Sequence, residues 1–353
     1  MDSQINFDAI KNIKNLNELY LDFSNNNLDT IPSQLYAVKQ LTKLNLRNNQ
    51  YKSLPKEIEQ LVNLKEFYLD NNQLTYLPET IGNLKKLEVL ILPNNQIKEL
   101  PETIGKLTNL HLLLLNNNHI HQLPSEIGKL KNIFNFHLTQ NQLTELPKEI
   151  VKLQNIANLV LNFNQFQYLP EEVGYLKNLS ILNMSNNLLK NLFQKPEKSN
   201  LSNWHDDKFS KAKTPLKRLK KLQHLYLSYN QISNIPRQIG ELKKLELLYL
   251  NGNEISELPK QMKKLINLRE LSIGNNPISL VEINKTLALL PQLEVLYLGD
   301  LGLNTLPESV LNLKNLKKLY LNNYDKKQLR PNSFSQAEQE KIRQMLPQCQ
   351  VEF

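Results

Sequence analysis

The groups able to do chemistry are few in this 353-residue chain, which has six histidines, one cysteine and one tryptophan. The densest grouping is Trp204-His205-Asp206-Asp207, inside a lysine-rich segment. An imidazole beside two carboxylates is a metal-ligand composition, but adjacent side chains rarely converge on one ion, so the metal signal is weak. With Phe193 and Phe209 the segment reads equally as a docking insertion or as a flexible surface loop. His119 and His121 stand two apart outside any strand pattern, where imidazoles are mostly solvated. Cys349 has no histidine near it in sequence and is expected to pack as a small apolar residue. No phosphate-cradling glycine loop, no HExxH and no paired CxxC occurs. The expectation is a protein with no enzymatic activity, no cofactor and no metal. A lone cysteine permits no internal disulfide and is compatible with either redox compartment.

The chemistry that does recur is recognition by apolar and aromatic side chains. One unit, seen best in Leu84 to Lys106 (LKKLEVLILPNNQIKELPETIGK), returns every 23 residues in thirteen copies, the first starting at Asn15 and the last at Leu313. Within it Leu90 and Leu92 alternate around Ile91 with the period of a strand. Asn95 then ends the strand, and the Leu100-Pro101 step turns the chain back, because proline cannot continue a ladder. A single copy has nowhere to bury Leu84, Leu87, Leu90, Leu92, Ile97, Leu100 and Ile104. Stacking the copies solves this and lays the strands side by side as one parallel sheet. The asparagine column of Asn49, Asn72, Asn95, Asn118 and their equivalents is read as scaffold: an amide offers donors and an acceptor to backbone groups that have no strand partner.

The pattern resembles the leucine-rich repeat family from about residue 15 to the C-terminus. Its ending, as in Leu123-Pro124-Ser125-Glu126-Ile127-Gly128, is similar to the 23-residue LPxxIG class of Ras-group and Scribble-type proteins and of multi-copy bacterial proteins. The lysine- and asparagine-rich composition and the closing Leu346 to Phe353 look more like the bacterial set. The resemblance implies an α/β solenoid, a right-handed horseshoe with its parallel sheet on the concave face, and protein or ligand recognition without naming the partner.

Strand alternation then selects the recognition surface, since residues between inward leucines point onto the concave face. The candidates are Val89, Ile91, Leu112, Leu114, His137, Val160, Phe163, Tyr226, Tyr229, Leu247, Tyr249, Tyr297 and Tyr320. From the Leu84 copy through the Leu242 copy the outward strand positions carry no Asp, Glu, Lys or Arg. Uncharged, partly aromatic surface is typical of interface centres, although tyrosine or valine ladders also stabilise a sheet by cross-strand contact alone. Leu114 and Tyr249 are expected to accept a charge without loss of stability, and Leu115 to unfold the array if charged. The primary expectation is a protein partner on this face. The alternative is an anionic polymer or surface (nucleic acid, lipid headgroups, cell-wall polymer) held by lysines recurring at copy starts, as in Lys85-Lys86, Lys220-Lys221 and Lys243-Lys244, within a net charge of +9. Nucleic acid ranks low, because basic and aromatic groups fall on different faces.

The expected organisation is an N-terminal cap over 1–14, thirteen repeats over 15–335 with an insertion at 193–215, and a C-terminal cap over 336–353. In that last segment Ser335-Gln336-Ala337-Glu338 reads as a capping box, Ile342, Met345 and Leu346 share one helical face, and a final strand runs from about Gln350 to Phe353. The Leu265 copy is 25 residues long. No apolar run reaches signal-peptide or membrane-spanning length, so the chain is expected to be cytoplasmic unless a leader has been removed, and a monomer in preference to an obligate oligomer.

Overall fold

The computed structural model describes residues 18–192, 215–323 and 330–353. The expected N-terminal cap at 1–14 and the segment with Phe193, Trp204 and Phe209 lie outside the described residues. The chain divides into two compact units, Met1–Asn164 and Gln165–Phe353, both built from the same repeat. In the first unit the strands are β1 (Tyr20–Asp22), β2 (Lys43–Asn45), β3 (Glu66–Tyr68), β4 (Val89–Ile91), β5 (Leu112–Leu114), β6 (Asn135–His137) and β7 (Asn158–Val160). Each pairs in parallel with the next in chain order. The second unit repeats the plan with β8 (Ile181–Asn183), β9 (His224–Tyr226), β10 (Leu247–Tyr249), β11 (Glu270–Ser272), β12 (Val295–Tyr297), β13 (Lys318–Tyr320) and β14 (Gln350–Glu352).

The copy at Leu84 shows why each strand is three residues long. Leu84, Leu87, Leu90, Leu92, Ile97, Leu100 and Ile104 are all buried, each contributing roughly 1.5–3 kcal/mol that a lone copy has no second layer to capture. Asn94, at φ 57°, takes a left-handed conformation that swings the chain out of the sheet. Pro101, with φ −67°, opens a 3₁₀ turn over Glu102–Lys106. Gly105 closes it, and a Cβ there would lie 2.6 Å from the carbonyl oxygen of Glu126 in the next copy. The LPxxIG ending is thus a close-packing requirement between copies. The returning elements are mostly 3₁₀ turns in place of α-helices. The 25-residue copy instead absorbs its extra length in helix α1 (Leu280–Leu287), capped by the Ser279 hydroxyl, which accepts from the Glu282 amide at 3.2 Å.

The asparagine column performs the scaffold task in both units. Asn118 Oδ1 accepts from the Ile97 amide at 3.0 Å, while its Nδ2 donates to the carbonyls of Leu92 and Leu115, each at 3.1 Å. Asn253 does the same for Ile232, Leu227 and Leu250. In the last copy, starting at Leu313, the repeat-aligned position is Tyr324 in place of asparagine, and Asn332 supplies the amide, accepting from Leu301 and Leu303 and donating to Leu298 and Leu321. This substitution across the chain was invisible to a 23-residue alignment.

At the insertion, Leu192 and Leu216 are fully buried on the aligned positions, but Pro215, assigned to the insertion by repeat counting, is also buried and opens the 3₁₀ turn Pro215–Arg218. A Cβ on Gly174 would meet its Cα at 2.8 Å, so Pro215 packs as part of the stack. Helix α2 (Gln336–Met345) starts at the expected Ser335 cap, and β14 pairs with β13. Of its supposed apolar stripe only Ile342 is buried; Met345 is exposed and Leu346 half-buried. Cys349 is half-buried, and that burial raises its thiol pKa.

Asn118→Ala should strand three backbone groups and lower stability by about 3 kcal/mol. Asn117→Gly, one residue earlier at φ 55°, should leave stability unchanged or raised. Urea unfolding of the two variants side by side checks the assignment.

Candidate functional site

In the first unit the solvent face of β4 to β7 forms two columns. Ile91, Leu114, His137 and Val160 lie in register on adjacent strands, as do Val89, Leu112, Asn135 and Asn158. With strands about 4.8 Å apart, each column is a contiguous strip. Val89, Leu112, Leu114, His137 and Val160 are half-buried with their outer surfaces open. Ile91 is not the exposed group expected: it is 8% accessible, because Tyr68 and Leu114 flank it in the same column. Val160 is separated from Leu114 by His137, and Asn158 donates to Asn135 beside it, so the apolar strip narrows towards β7. Burial lowers the pKa of His137, which keeps the imidazole neutral and the strip uncharged near neutrality.

Two aromatic residues at the ends of these strands are held in an unusual conformation. The residue before the ladder asparagine adopts positive φ throughout, and it is Asn at 25, 48, 71, 94, 117, 186 and 275, Gln at 140 and Gly at 252. In the first unit Phe163 takes this place at φ 56° with its side chain 50% accessible; in the second Tyr229 does so at φ 54° and 41%. A residue with a bulky Cβ substituent loses roughly 1–2 kcal/mol there relative to glycine. Gly252 follows one repeat after Tyr229, and a Cβ on it would lie 2.6 Å from the tyrosine ring, so the missing side chain makes room for that ring. The sequence showed both aromatics but not their backbone. Phe134, 52% accessible just before β6, was missed; its signal is a phenylalanine at a position that is polar or small in every other copy but the first, which has Leu19.

The second unit presents a tyrosine column. Tyr226 and Tyr249 meet edge to face with centroids 5.3 Å apart, Tyr249 and Tyr297 at 5.6 Å, and Tyr297 stacks on Tyr320 at 4.4 Å. Tyr249 and Tyr297 lean over Ser272, the small residue between them on β11. Both hydroxyls converge on one carboxylate oxygen: Tyr249 donates to Glu270 Oε1, and Tyr297 does so at 3.1 Å. Burial, followed by the bond to Glu270, raises the pKa of Tyr249; burial also raises those of Tyr226 and Tyr297. The expectation that Tyr249 accepts a charge harmlessly is therefore corrected, because an aspartate there would lose two ring contacts and face Glu270. Leu247 is half-buried beside it. Glu270 itself escaped notice in the sequence as the residue that merely ends the charge-free run.

Elsewhere charges are matched locally. On β1 to β3, Lys43 reaches Glu66 at 3.2 Å, Tyr68 donates to Glu66 at 2.5 Å, and Arg47 pairs with Asp70 at 3.0 Å while lying 4.7 Å from the Tyr68 ring centre. Several of the copy-start lysines are exposed but engaged: Lys86 donates to Asn63, Lys221 to Asn178, and Lys220 lies 3.4 Å from Glu241. His119 and His121 are exposed, and no cluster of three or more metal-ligating residues occurs among the described residues. Nor is any described helix long and apolar enough to cross a membrane. The Leu-Pro steps of three successive copies also line a groove of about 750 Å³ between Tyr76, Glu79, Glu102 and Ser125.

These features define a class: stacked short strands and 3₁₀ turns with a bare sheet face. A leucine-rich repeat region matches residues 56–133 and 104–195, and a leucine rich repeat matches 212–255. A leucine-rich repeat protein of Leptospira interrogans is 35% identical, covering 94% of this chain and 83% of its own, with a TM-score of 0.70. An internalin of Listeria monocytogenes shares the fold at 21% identity, with 85% and 86% of the two chains covered and a TM-score of 0.62. The plant peptide hormone receptor RGFR1, solved in complex with RGF2, does so at 22% identity over 82% of this chain and 52% of its own, with a TM-score of 0.57. A search of the curated proteins finds no match. The chain belongs to the leucine-rich repeat family, with a bacterial relative among its structural matches; such repeats are generally non-catalytic and typically serve as protein- or peptide-binding scaffolds.

Replacing Phe163 by Asn, the residue most repeats use there, should raise stability by about 1 kcal/mol in thermal or urea unfolding. His137 supplies a second check. Its folded pKa lies below the ordinary 6.5, so the stability it supports is complete above that pH and is lost as pH falls through the folded value. His137→Gln should flatten the stability profile between about pH 7 and about pH 5.

Proposed function

We propose that this chain is a non-catalytic scaffold that seats a protein or peptide partner on the solvent face of its strands. The observation that carries the reading is Phe163: an aromatic ring half open to water, on a backbone conformation that disfavours it, where most equivalent copies place an amide or glycine. Backbone strain retained under an exposed apolar side chain is characteristic of binding positions, and aromatic anchors dominate interface energies. The uncharged strip of Leu112, Leu114 and Val160 lies on the same unit and supplies desolvatable surface. RGFR1, which its structure shows in complex with RGF2, has the same repeat architecture and supports the analogy.

The test compares Phe163→Asp, Leu114→Asp and Leu115→Asp by melting temperature and by capture of partner proteins from the native source. Phe163→Asp and Leu114→Asp point out of the sheet and should fold normally but lose the captured partner, because a charge is costly only once desolvated. Leu115→Asp puts a carboxylate at a fully buried position and should unfold the first unit. Normal capture by both outward variants would move the partner to another face. Capture that vanishes between low and moderate salt while tolerating both substitutions would favour the lysine edge and an anionic ligand.

A further inference from the structure

Glu66 and Glu270 occupy the same position of their repeats, each on the outer face and each accepting a tyrosine hydroxyl. Their electrostatic surroundings differ. Glu66 has a lysine, Lys43, directly across the ladder on the neighbouring strand, 3.2 Å away. The ladder neighbours of Glu270 are Leu247 and Val295. Arg269 is turned aside to Glu294, at 3.5 Å, and Lys318 stands in the same column one strand beyond Val295. Among the described residues no cation lies within ion-pair distance of Glu270, and both of its tyrosine bonds fall on Oε1. The result is a half-buried carboxylate, beside tyrosine faces and two apolar side chains, whose charge the unit leaves unmatched.

The first unit shows what fits such a place. There Arg47 lies over the Tyr68 ring and pairs with Asp70, so one guanidinium meets an aromatic face and a carboxylate together on the sheet. Arg218 over Tyr175, with Glu171 at 3.4 Å, repeats the arrangement in the second unit. A planar guanidinium suits this combination better than an ammonium, because it stacks and hydrogen-bonds at once. We propose that Glu270, with Tyr249 and Tyr297, receives an arginine side chain supplied by the partner, from a segment with apolar residues beside that arginine. The inference rests on the sheet-face reading above and gives it a chemical preference: a basic-apolar peptide segment, with Leu247 and Val295 taking the apolar neighbours.

The test uses the full chain and two synthetic probes, acetyl-Leu-Arg-Leu-amide and the same peptide with citrulline, which keeps the shape of arginine without its charge. Titration followed by tyrosine ring resonances should show the arginine peptide binding about tenfold more tightly, the size of one partly desolvated charge pair. Glu270→Gln, which keeps an acceptor for both hydroxyls, should erase that difference, while Glu66→Gln should not. Equal binding of the two peptides, a preference that survives Glu270→Gln, or binding of neither peptide would overturn the proposal. Should Glu270→Gln fail to fold, the resonances of the unaltered chain decide: the arginine peptide must shift Tyr249 and Tyr297 ahead of Tyr20 and Tyr68. Loss of capture by Phe163→Asp and Leu114→Asp, read on the other unit, keeps the sheet-face reading standing even if this one fails.

Discussion

A backbone that leaves a parallel sheet after three residues must find partners for groups that no ladder provides, and the asparagine amide at the strand's end solves this. One side chain bonds its own turn and the copy before it, as Asn118 does for Leu115, Leu92 and Ile97. Because that amide also sets where the chain turns, it sets where the next strand begins. The spacing of the leucines, the 3₁₀ return and the alignment of outward side chains all follow. Where the repeat-aligned position lacks an amide, Asn332 reaches in from elsewhere in the chain, which shows that the chemical need persists when the sequence pattern lapses.

The outer face is what this scaffold leaves unassigned. Its inner leucines answer to packing, whereas its outward positions answer to solvent and to one another. Three local solutions appear. On β1 to β3 opposite charges pair across strands. On β4 to β7 apolar groups with a neutral imidazole form an uncharged strip. On β9 to β13 tyrosines pack on each other and share a carboxylate. The first is complete within the molecule; the other two retain either exposed apolar surface or an unmatched charge, and that incompleteness is what points to a partner.

The repeat made most of the architecture legible. Strand positions, inward residues, the amide column and the Ser335 cap all follow from short-range periodicity and local hydrogen bonding, so they can be read from one copy and extended. What could not be read depends on three-dimensional neighbours. Ile91 looks outward in the pattern yet is covered by residues of two adjacent strands. Tyr249 looks like free aromatic surface, but its hydroxyl is committed to Glu270, 21 residues on. The extra two residues of the Leu265 copy announced a change without announcing a helix. Positive φ at Phe163 was hidden because Asn, Gln, Gly and aromatic residues share that position, and only the backbone shows why most copies choose the first three.

The ladder has a mechanical corollary. Every strand is held by its immediate neighbours alone, and each amide ties one copy to the one before it. Tension applied at an end of either unit would therefore load a single seam at a time, and each rupture would pay out one copy, about 80 Å of extended chain for 23 residues. Such a molecule yields by unreeling mostly in equal lengths, with the α1 copy giving a slightly longer step and the 43-residue copy that carries the insertion one of about 150 Å.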